Sequence, residues 1–86
     1  MLTQKLNTMQ LEIITPDKKV YEGEVISVQL PGTNGLFEIL NHHAPIISTL
    51  TKGKIRVIDG KNQTEFFEIN GGVIEMNQNK VIVLAD

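Results

Sequence analysis

Two adjacent histidines, His42 and His43, are the only histidines in this 86-residue chain and the first residues to test for chemistry. Successive side chains of an extended segment point to opposite sides, so the two imidazoles cannot easily bind one ion. A zinc site takes three or four protein ligands, and the sequence contains no cysteine and no third histidine. We therefore expect no metal site at this pair and assign it a structural or interface role in its loop.

Nucleophiles and phosphate-binding loops are the next chemistry to consider. Ser27 and Ser48 are the only serines, and neither lies in a nucleophile-elbow sequence beside a base and an orienting acid. The segment Pro31–Gly35 lacks the lysine and the following helix of a phosphate loop. Asn70–Gly72 precedes a strand-like segment, so it offers no helix dipole to an anion. The sequence predicts no catalytic, cofactor-binding or metal-binding residues, and we interpret both glycine segments as turns.

The composition limits the class of protein. A net charge of −2 with scattered Lys and Arg does not match the basic surface of a nucleic-acid-binding protein. The longest apolar runs are far too short to span a bilayer, and the lack of cysteine favours a reducing compartment. We predict a polar N-terminal extension or tag remnant over residues 1–8 and a single domain over residues 9–86.

Short alternating segments rich in Ile and Val, separated by turn residues, indicate β-strands along the whole domain. Such spacing, with no helical period of useful length, predicts an all-β fold. We expect a small flattened β-sandwich of about nine to ten short, mostly antiparallel strands. The predicted strands are Gln10–Thr15, Val20–Glu22, Glu24–Leu30, Leu36–Leu40, Ile46–Leu50, Lys54–Ile58, Thr64–Asn70, Val73–Met76 and Lys80–Ala85.

Alternation within these segments predicts which side chains face the core. In the third segment the side chains predicted to point inward are Ile26, Val28 and Leu30, and those predicted to point outward are Ser27 and Gln29. In Lys54–Ile58, the basic residues Lys54 and Arg56 are predicted to form a solvated face. Near the end of the chain, Phe67 and Ile69 are predicted core residues.

The stretch Pro31–Pro45 is the most unusual part of the chain, because it combines two prolines, two glycines and both histidines. Asn34-Gly35 predicts a tight turn, since both residue types tolerate positive φ. After the turn, a strand must alternate, and we place Phe37 in the core. Leu36 either packs internally as well or projects as an apolar contact for a partner.

Several sequence blocks together match one pattern: Leu11–Asp17, Leu30–Gly35, Ile39–Leu40, His43–Pro45, Lys52–Ile55, Asn70–Met76 and Val81–Asp86. Over residues 10–86 the chain resembles the epsilon subunit of F-type ATP synthase in its N-terminal β-sandwich domain. The combination of Gly-Gly-x-x-Glu with the final Val-Leu-Ala-Asp is the specific part of this resemblance.

The resemblance implies a non-catalytic rotor subunit of the central stalk, without a cofactor. It implies contacts with the gamma subunit and with the c-ring of the membrane sector, and a role in coupling proton or sodium flow to ATP synthesis. The implied location is the cytoplasmic face of the bacterial inner membrane, without insertion into it. The implied c-ring-facing loop consists of Asn34, Gly35, Leu36, Phe37 and Glu38. The implied gamma-facing residues are Thr15, His43 and Ser48.

Three positions depart from the pattern of the family. The family commonly has an acidic residue at the position of Leu36, glycine at the position of Glu38 and proline at the position of Asn41. Glu38 is therefore a candidate for a repositioned carboxylate. The familiar form also continues into two C-terminal helices, which inhibit ATP hydrolysis and in some members bind ATP. Those functions are not assigned to the residues up to Asp86.

A free-standing β-sandwich that binds an unknown ligand is the alternative interpretation. The chain has no Trp and a single Tyr, so it lacks the aromatic residues that stack on sugars. It also lacks the basic groove and aromatic platform of a single-stranded nucleic-acid binder. Binding to a gamma subunit would distinguish the rotor interpretation from these alternatives.

Overall fold

The computed structural model describes residues 8–86, and within them it contains β-strands and no helix. Of the predicted extension over residues 1–8, all but Thr8 lies outside the described residues. The eight strands are β1 (Met9–Ile14), β2 (Lys19–Gly32), β3 (Gly35–Leu40), β4 (Ile46–Leu50), β5 (Gly53–Asp59), β6 (Thr64–Ile69), β7 (Gly72–Asn77) and β8 (Lys80–Ala85).

The strand count is eight because the predicted strands Val20–Glu22 and Glu24–Leu30 are a single strand, β2. Gly23 was expected to separate them, but it pairs with Leu11 of β1 inside a continuous antiparallel ladder. Backbone hydrogen bonds to a neighbouring strand hold a glycine that local propensity alone would place in a turn. The predicted all-β sandwich is confirmed.

The long strand β2 joins the two layers of the sandwich. Its first half pairs with β1, while its second half pairs with β3 on the same edge and with β5 on the other edge. One layer therefore follows the order β4-β7-β8-β1, and the other follows β3-β2-β5-β6. The pairing of β1 with β8 is parallel, and the other pairings are antiparallel. A single pair, Gly32 with Leu50, connects β2 to β4.

The core lies between the two layers and consists of aliphatic side chains from alternate strand positions. Ile13, Val83 and Ile74 form one row across β1, β8 and β7, and all three are fully buried. Each such side chain stabilises the fold by about 1.5–3 kcal/mol relative to an exposed position. The other buried hydrophobic residues are Met9, Leu11, Val25, Val28, Leu30, Ile39, Leu50, Ile55, Val57, Ile69, Met76, Val81 and Ala85.

The aromatic residues cover the margins of this core. Phe37 and Phe67 are partly buried and pack against it, as their positions in the alternation predict. Tyr21 meets Phe67 edge-to-face, with ring centroids 5.4 Å apart. Desolvation by burial, followed by the nearby carboxylates of Asp59 and Glu65, raises the pKa of Tyr21 above its ordinary value.

The middle of β2 departs from simple alternation. The register with β5 shifts between Val25 and Ser27, so the intervening Ile26 is an extra residue without its own partner on β5. A bulge of this kind changes which side chains point inward. Val25 is therefore a core residue, and the prediction of Ile26 as core is wrong. Ser27 lies on the outer side as predicted, yet it is only 4% exposed because other side chains cover it.

Candidate docking surfaces

The tip of the β2–β3 hairpin is the first exposed feature. Gly32 pairs with Gly35, which leaves Thr33 and Asn34 as a two-residue turn. Gly35 has φ of +124°, a conformation that L side chains rarely adopt, so glycine is favoured where the second strand begins. Leu36 then points outward and is 68% exposed. Of the two alternatives for Leu36, the structure thus selects projection into solvent.

A polar cluster of three residues lies on the outer side of the β3-β2-β5-β6 layer. The Arg56 guanidinium Nη2 lies 2.9 Å from Glu38 Oε2, and the Ser27 hydroxyl donates a hydrogen bond to the same carboxylate oxygen. Arg56 Nη2 is also 3.4 Å from Ser27 Oγ. Arg56 lies on the outer face, as predicted together with Lys54, but it is only partly solvated because its guanidinium folds over Ser27 to reach Glu38. Lys54 is exposed as predicted.

The loop between β3 and β4 carries both histidines, and local hydrogen bonds fix its path. The His43 amide donates to the Leu40 carbonyl at 3.1 Å, and His42 adopts a left-handed φ of 66°. His43 Nδ1 is 2.8 Å from the Ala44 carbonyl oxygen, a hydrogen bond that requires the proton on Nδ1. Both side chains are exposed at one end of the sandwich.

Asn79, in the turn between β7 and β8, fastens the histidine loop to the rest of the domain. Its Oδ1 accepts from the His42 amide at 2.9 Å, and its Nδ2 donates to Asn41 Oδ1 at 2.9 Å. The same Nδ2 donates to the Thr8 carbonyl at 3.1 Å. One side chain therefore connects the loop, the β7–β8 turn and the start of β1.

The outer side of the β4-β7-β8-β1 layer carries an apolar patch beside polar residues such as Thr49 and Glu75. In one cross-strand row, Val73 and Leu84 lie between Thr49 and Ile14. Ile47, in the neighbouring row, is 74% exposed and lies beside Glu75, the next residue across on β7. We call the set Ile14, Ile47, Val73, Ile82 and Leu84 the apolar face. Ile47, Val73 and Leu84 are exposed and Ile14 and Ile82 are half-buried, and patches of exposed apolar residues of this type mark protein–protein contacts.

The three residues expected to face gamma are not brought together as a cluster. Thr15 follows the last residue of β1, where its amide and hydroxyl both donate to the Lys18 carbonyl. His43 lies at the opposite end of the same layer, just before β4. Ser48 pairs with the buried Ile74 and is on the core side of β4. Thr15 and His43 therefore border the apolar face, and Ser48 lies beneath it.

Comparison with known proteins decides the family. A family model described as the ATP synthase delta/epsilon chain, beta-sandwich domain, matches residues 8–86. The chain belongs to this family. An ATP synthase epsilon chain from Chlorobium limicola is 42% identical over 77 residues, which cover 90% of this chain and 88% of that relative.

A second relative supports this family, and a solved structure supports the fold. An epsilon chain from Protochlamydia amoebophila is 41% identical, and the match covers 88% of this chain but only 52% of the relative. A chain in the mitochondrial ATP synthase of Euglena gracilis, solved by cryo-EM, shares the fold with a TM-score of 0.86 at 18% identity. That alignment covers 91% of this chain and 50% of the other. Within residues 8–86 of the epsilon-type domain, no helix is long and apolar enough to cross a membrane.

Sequence reasoning missed two features of this epsilon-type domain. The role of Asn79 depends on partners that lie 37, 38 and 71 residues away along the chain. Its only local signal is the Asn-Gln-Asn turn, which favours positive φ but does not indicate which residues the Asn79 side chain contacts. The apolar face had a stronger signal, since Val81–Ala85 is an unbroken apolar run. Such a run is typical of a strand that is covered on both faces.

Proposed function

We propose that this epsilon-type domain is a non-catalytic rotor element of ATP synthase that links the gamma subunit to the c-ring of the membrane sector. Family membership over the whole described length carries the proposal. In this role the domain couples proton or sodium flow to ATP synthesis at the cytoplasmic face of a bacterial inner membrane. It performs no chemistry of its own, and its contribution is to hold two partners in a fixed relation.

The apolar face is the surface proposed to meet gamma. Ile47, Val73 and Leu84 are exposed side chains that a partner would remove from water. Burying apolar surface contributes about 25 cal/mol per Å², so three aliphatic side chains can dominate the affinity of such a contact. Thr15 and His43 border this face and supply polar groups at its two ends, which is the arrangement of a protein interface with a polar rim.

The hairpin segment Asn34–Glu38 is proposed to face the c-ring. It projects from the end of β2, which also pairs with β1 of the gamma-facing layer. The tip is further connected to β4, because the Thr51 amide donates to the Pro31 carbonyl at 2.8 Å. A rotor element that transmits torque needs such a rigid connection between its two contacts, and backbone ladders supply it here.

Two matched substitutions test the gamma contact. Ile47→Ser removes an exposed side chain from the apolar face, and Phe66→Ser removes one of similar exposure, 59%, from the other layer. Burying an isoleucine is worth about 1.5–3 kcal/mol, so Ile47→Ser should weaken gamma binding about tenfold or more. Phe66→Ser should leave it unchanged. Binding is measured by calorimetry with purified gamma subunit in the presence of the catalytic subunits.

Several results would contradict the proposal. If the wild-type chain binds no gamma subunit but binds a glycan or an oligonucleotide, the rotor role is wrong. If both substitutions weaken gamma binding equally, the apolar face is not the specific contact. Circular dichroism and unfolding midpoints of both variants control for misfolding, since both residues are largely exposed and contribute little to the core.

A further inference from the structure

The tip of the β2–β3 hairpin carries no charge. No ionisable residue occurs from Leu30 to Phe37, and the exposed side chains of the turn are those of Thr33, Asn34 and Leu36. The nearest carboxylate on the hairpin belongs to Glu38, which shares the outer side of β3 with Leu36. Whether that carboxylate is available to a partner decides the chemistry of this contact.

Glu38 is already engaged within the domain. One of its carboxylate oxygens accepts hydrogen bonds from both Arg56 Nη2 and the buried Ser27 hydroxyl. Arg56 Nε is buried without a hydrogen-bond partner among the described atoms. If Glu38 turned away towards a partner, Arg56 Nη2 would lose its 2.9 Å contact with the carboxylate, and the buried Ser27 hydroxyl would lose its acceptor. Leaving buried donors unpaired is costly, so the bound position of the carboxylate is favoured.

The same contact braces the hairpin. Glu38 pairs with Gln29 of β2, and Gln29 pairs with Arg56 of β5, so the ion pair spans three neighbouring strands. Strand β3 forms backbone pairs with β2 alone among the described strands. The bond from Glu38 to Arg56 therefore adds a polar attachment on the outer side of β3 to the core contacts of Phe37 and Ile39, and it helps to hold the tip that presents Leu36.

We infer that the hairpin tip docks on an uncharged surface of the ring subunits through Leu36, and that Glu38 is an internal brace rather than a contact carboxylate. The identity of the partner rests on the function proposed above. A charged group placed opposite this tip would lose water without gaining a counter-charge from the hairpin itself, which disfavours it. The surface that fits is a neutral polar loop with an apolar position opposite Leu36.

The chain offers a close control for Leu36. Leu40 lies on the same strand and the same outer face, and it is 52% exposed compared with 68% for Leu36. Leu36→Ser should weaken binding to the ring about fivefold or more, because an apolar contact is lost. Leu40→Ser should change it less than about twofold. Binding is measured between purified rings in nanodiscs and the full chain in complex with gamma.

Glu38→Gln tests the brace separately. Glutamine keeps the size of the side chain and an oxygen that can accept from Ser27 and Arg56, but it carries no charge. We expect ring affinity to stay within about twofold, while the unfolding midpoint falls because the ion pair is lost. We also expect little change in wild-type ring affinity between about 50 and 500 mM salt, since screening weakens only charged contacts.

The outcomes separate this inference from the rotor proposal. If the wild-type complex with gamma shows no affinity for the ring, the proposed function fails in its ring contact. If the ring binds the wild type, three results would each refute the inference alone: equal affinity for Leu36→Ser and the wild type, a large loss with Glu38→Gln, or a strong salt dependence. Gamma affinity, measured in parallel for every variant, shows whether the complex was intact.

Discussion

Replacing Asn79 by glycine should release the histidine loop without disturbing the turn that carries it. Asn79 has φ of 61° and Gln78 has φ of 51°, so both residues of the β7–β8 turn are left-handed. Two such residues form the turn type that favours Asn and Gly. Glycine at position 79 therefore keeps the backbone of the turn and deletes only the side chain with its three hydrogen bonds.

The expected cost follows from those bonds. The side chain accepts from the His42 amide and donates to Asn41 Oδ1 and to the Thr8 carbonyl, at 2.9–3.1 Å. A typical intramolecular hydrogen bond contributes about 0.5–1.5 kcal/mol. Because the His42 amide is near solvent, water replaces part of the loss, and we expect the low half of the summed range. The loss of the three bonds should lower the free energy of unfolding by about 1.5–3 kcal/mol.

Gln78→Gly is the matched control. It makes the same backbone change at the neighbouring left-handed position, while Gln78 takes no part in the three bonds. Glycine relieves left-handed strain at either position by up to about 1–2 kcal/mol. Comparing the two variants removes most of this contribution. We expect Asn79→Gly to be the less stable of the two by about 2 kcal/mol in urea unfolding.

Hydrogen exchange locates the effect. The His42 amide should exchange faster in Asn79→Gly and at the wild-type rate in Gln78→Gly, because only the first substitution removes its acceptor. If the two variants unfold at the same urea concentration and the His42 amide is equally protected in both, the side chain of Asn79 does not hold this loop. If the exchange rate of the His42 amide and the stability both change in Gln78→Gly, the backbone of the turn is the cause.

Four further predictions concern other parts of the domain. The raised pKa of Tyr21, the only tyrosine, means that the folded chain keeps its phenolic proton where the unfolded chain loses it. The free energy of unfolding should therefore fall as pH rises above about 10, and Tyr21→Phe should flatten that slope in denaturation series at several pH values. Gly72→Ala should cost about 2 kcal/mol or more, because the added Cβ would lie 2.3 Å from the Leu84 carbonyl oxygen at φ of +150°. Gly35→Ala, at φ of +124° with open space around it, should cost only about 1 kcal/mol in the same urea assay. Ile74→Ala, at a fully buried position, should lower the free energy of unfolding by about 2–5 kcal/mol in calorimetry.

Local pattern predicted most of the fold because the domain is built from short alternating strands. The strand at Met9–Ile14 and the hairpin around Asn77–Lys80 follow directly from period-two alternation and turn residues. The bulge at Val25 to Ser27 did not follow, because an extra residue depends on the register with β5. A single-residue shift of that kind moves a core position from Ile26 to Val25 without any signal in the local sequence.

The polar contacts of the candidate surfaces were harder to predict for a related reason. Glu38 and Arg56 are both on outer positions, but they meet only because the registers of β3, β2 and β5 align them in one row. Adjacent strands are about 4.8 Å apart, so the two backbones are separated by about 10 Å and two long side chains must bridge that distance. Alternation predicts on which side of the sheet a side chain lies, whereas predicting its contact partner requires the registers of both strand pairs. The same limit applies to Asn79 and the histidine loop.

The strand β2 explains how the proposed rotor role and the proposed tip contact can belong to one rigid unit. Its 14 residues extend from the pairing with β1, in the layer of the apolar face, to the hairpin tip beyond Gly32. Two independent contacts hold the far end of this strand: the backbone bonds to β4 and the brace through Glu38 to β5. Motion of the tip relative to the apolar face would have to break both. A force applied at Leu36 is therefore carried into the layer of the apolar face through backbone ladders, without a flexible loop between the two surfaces.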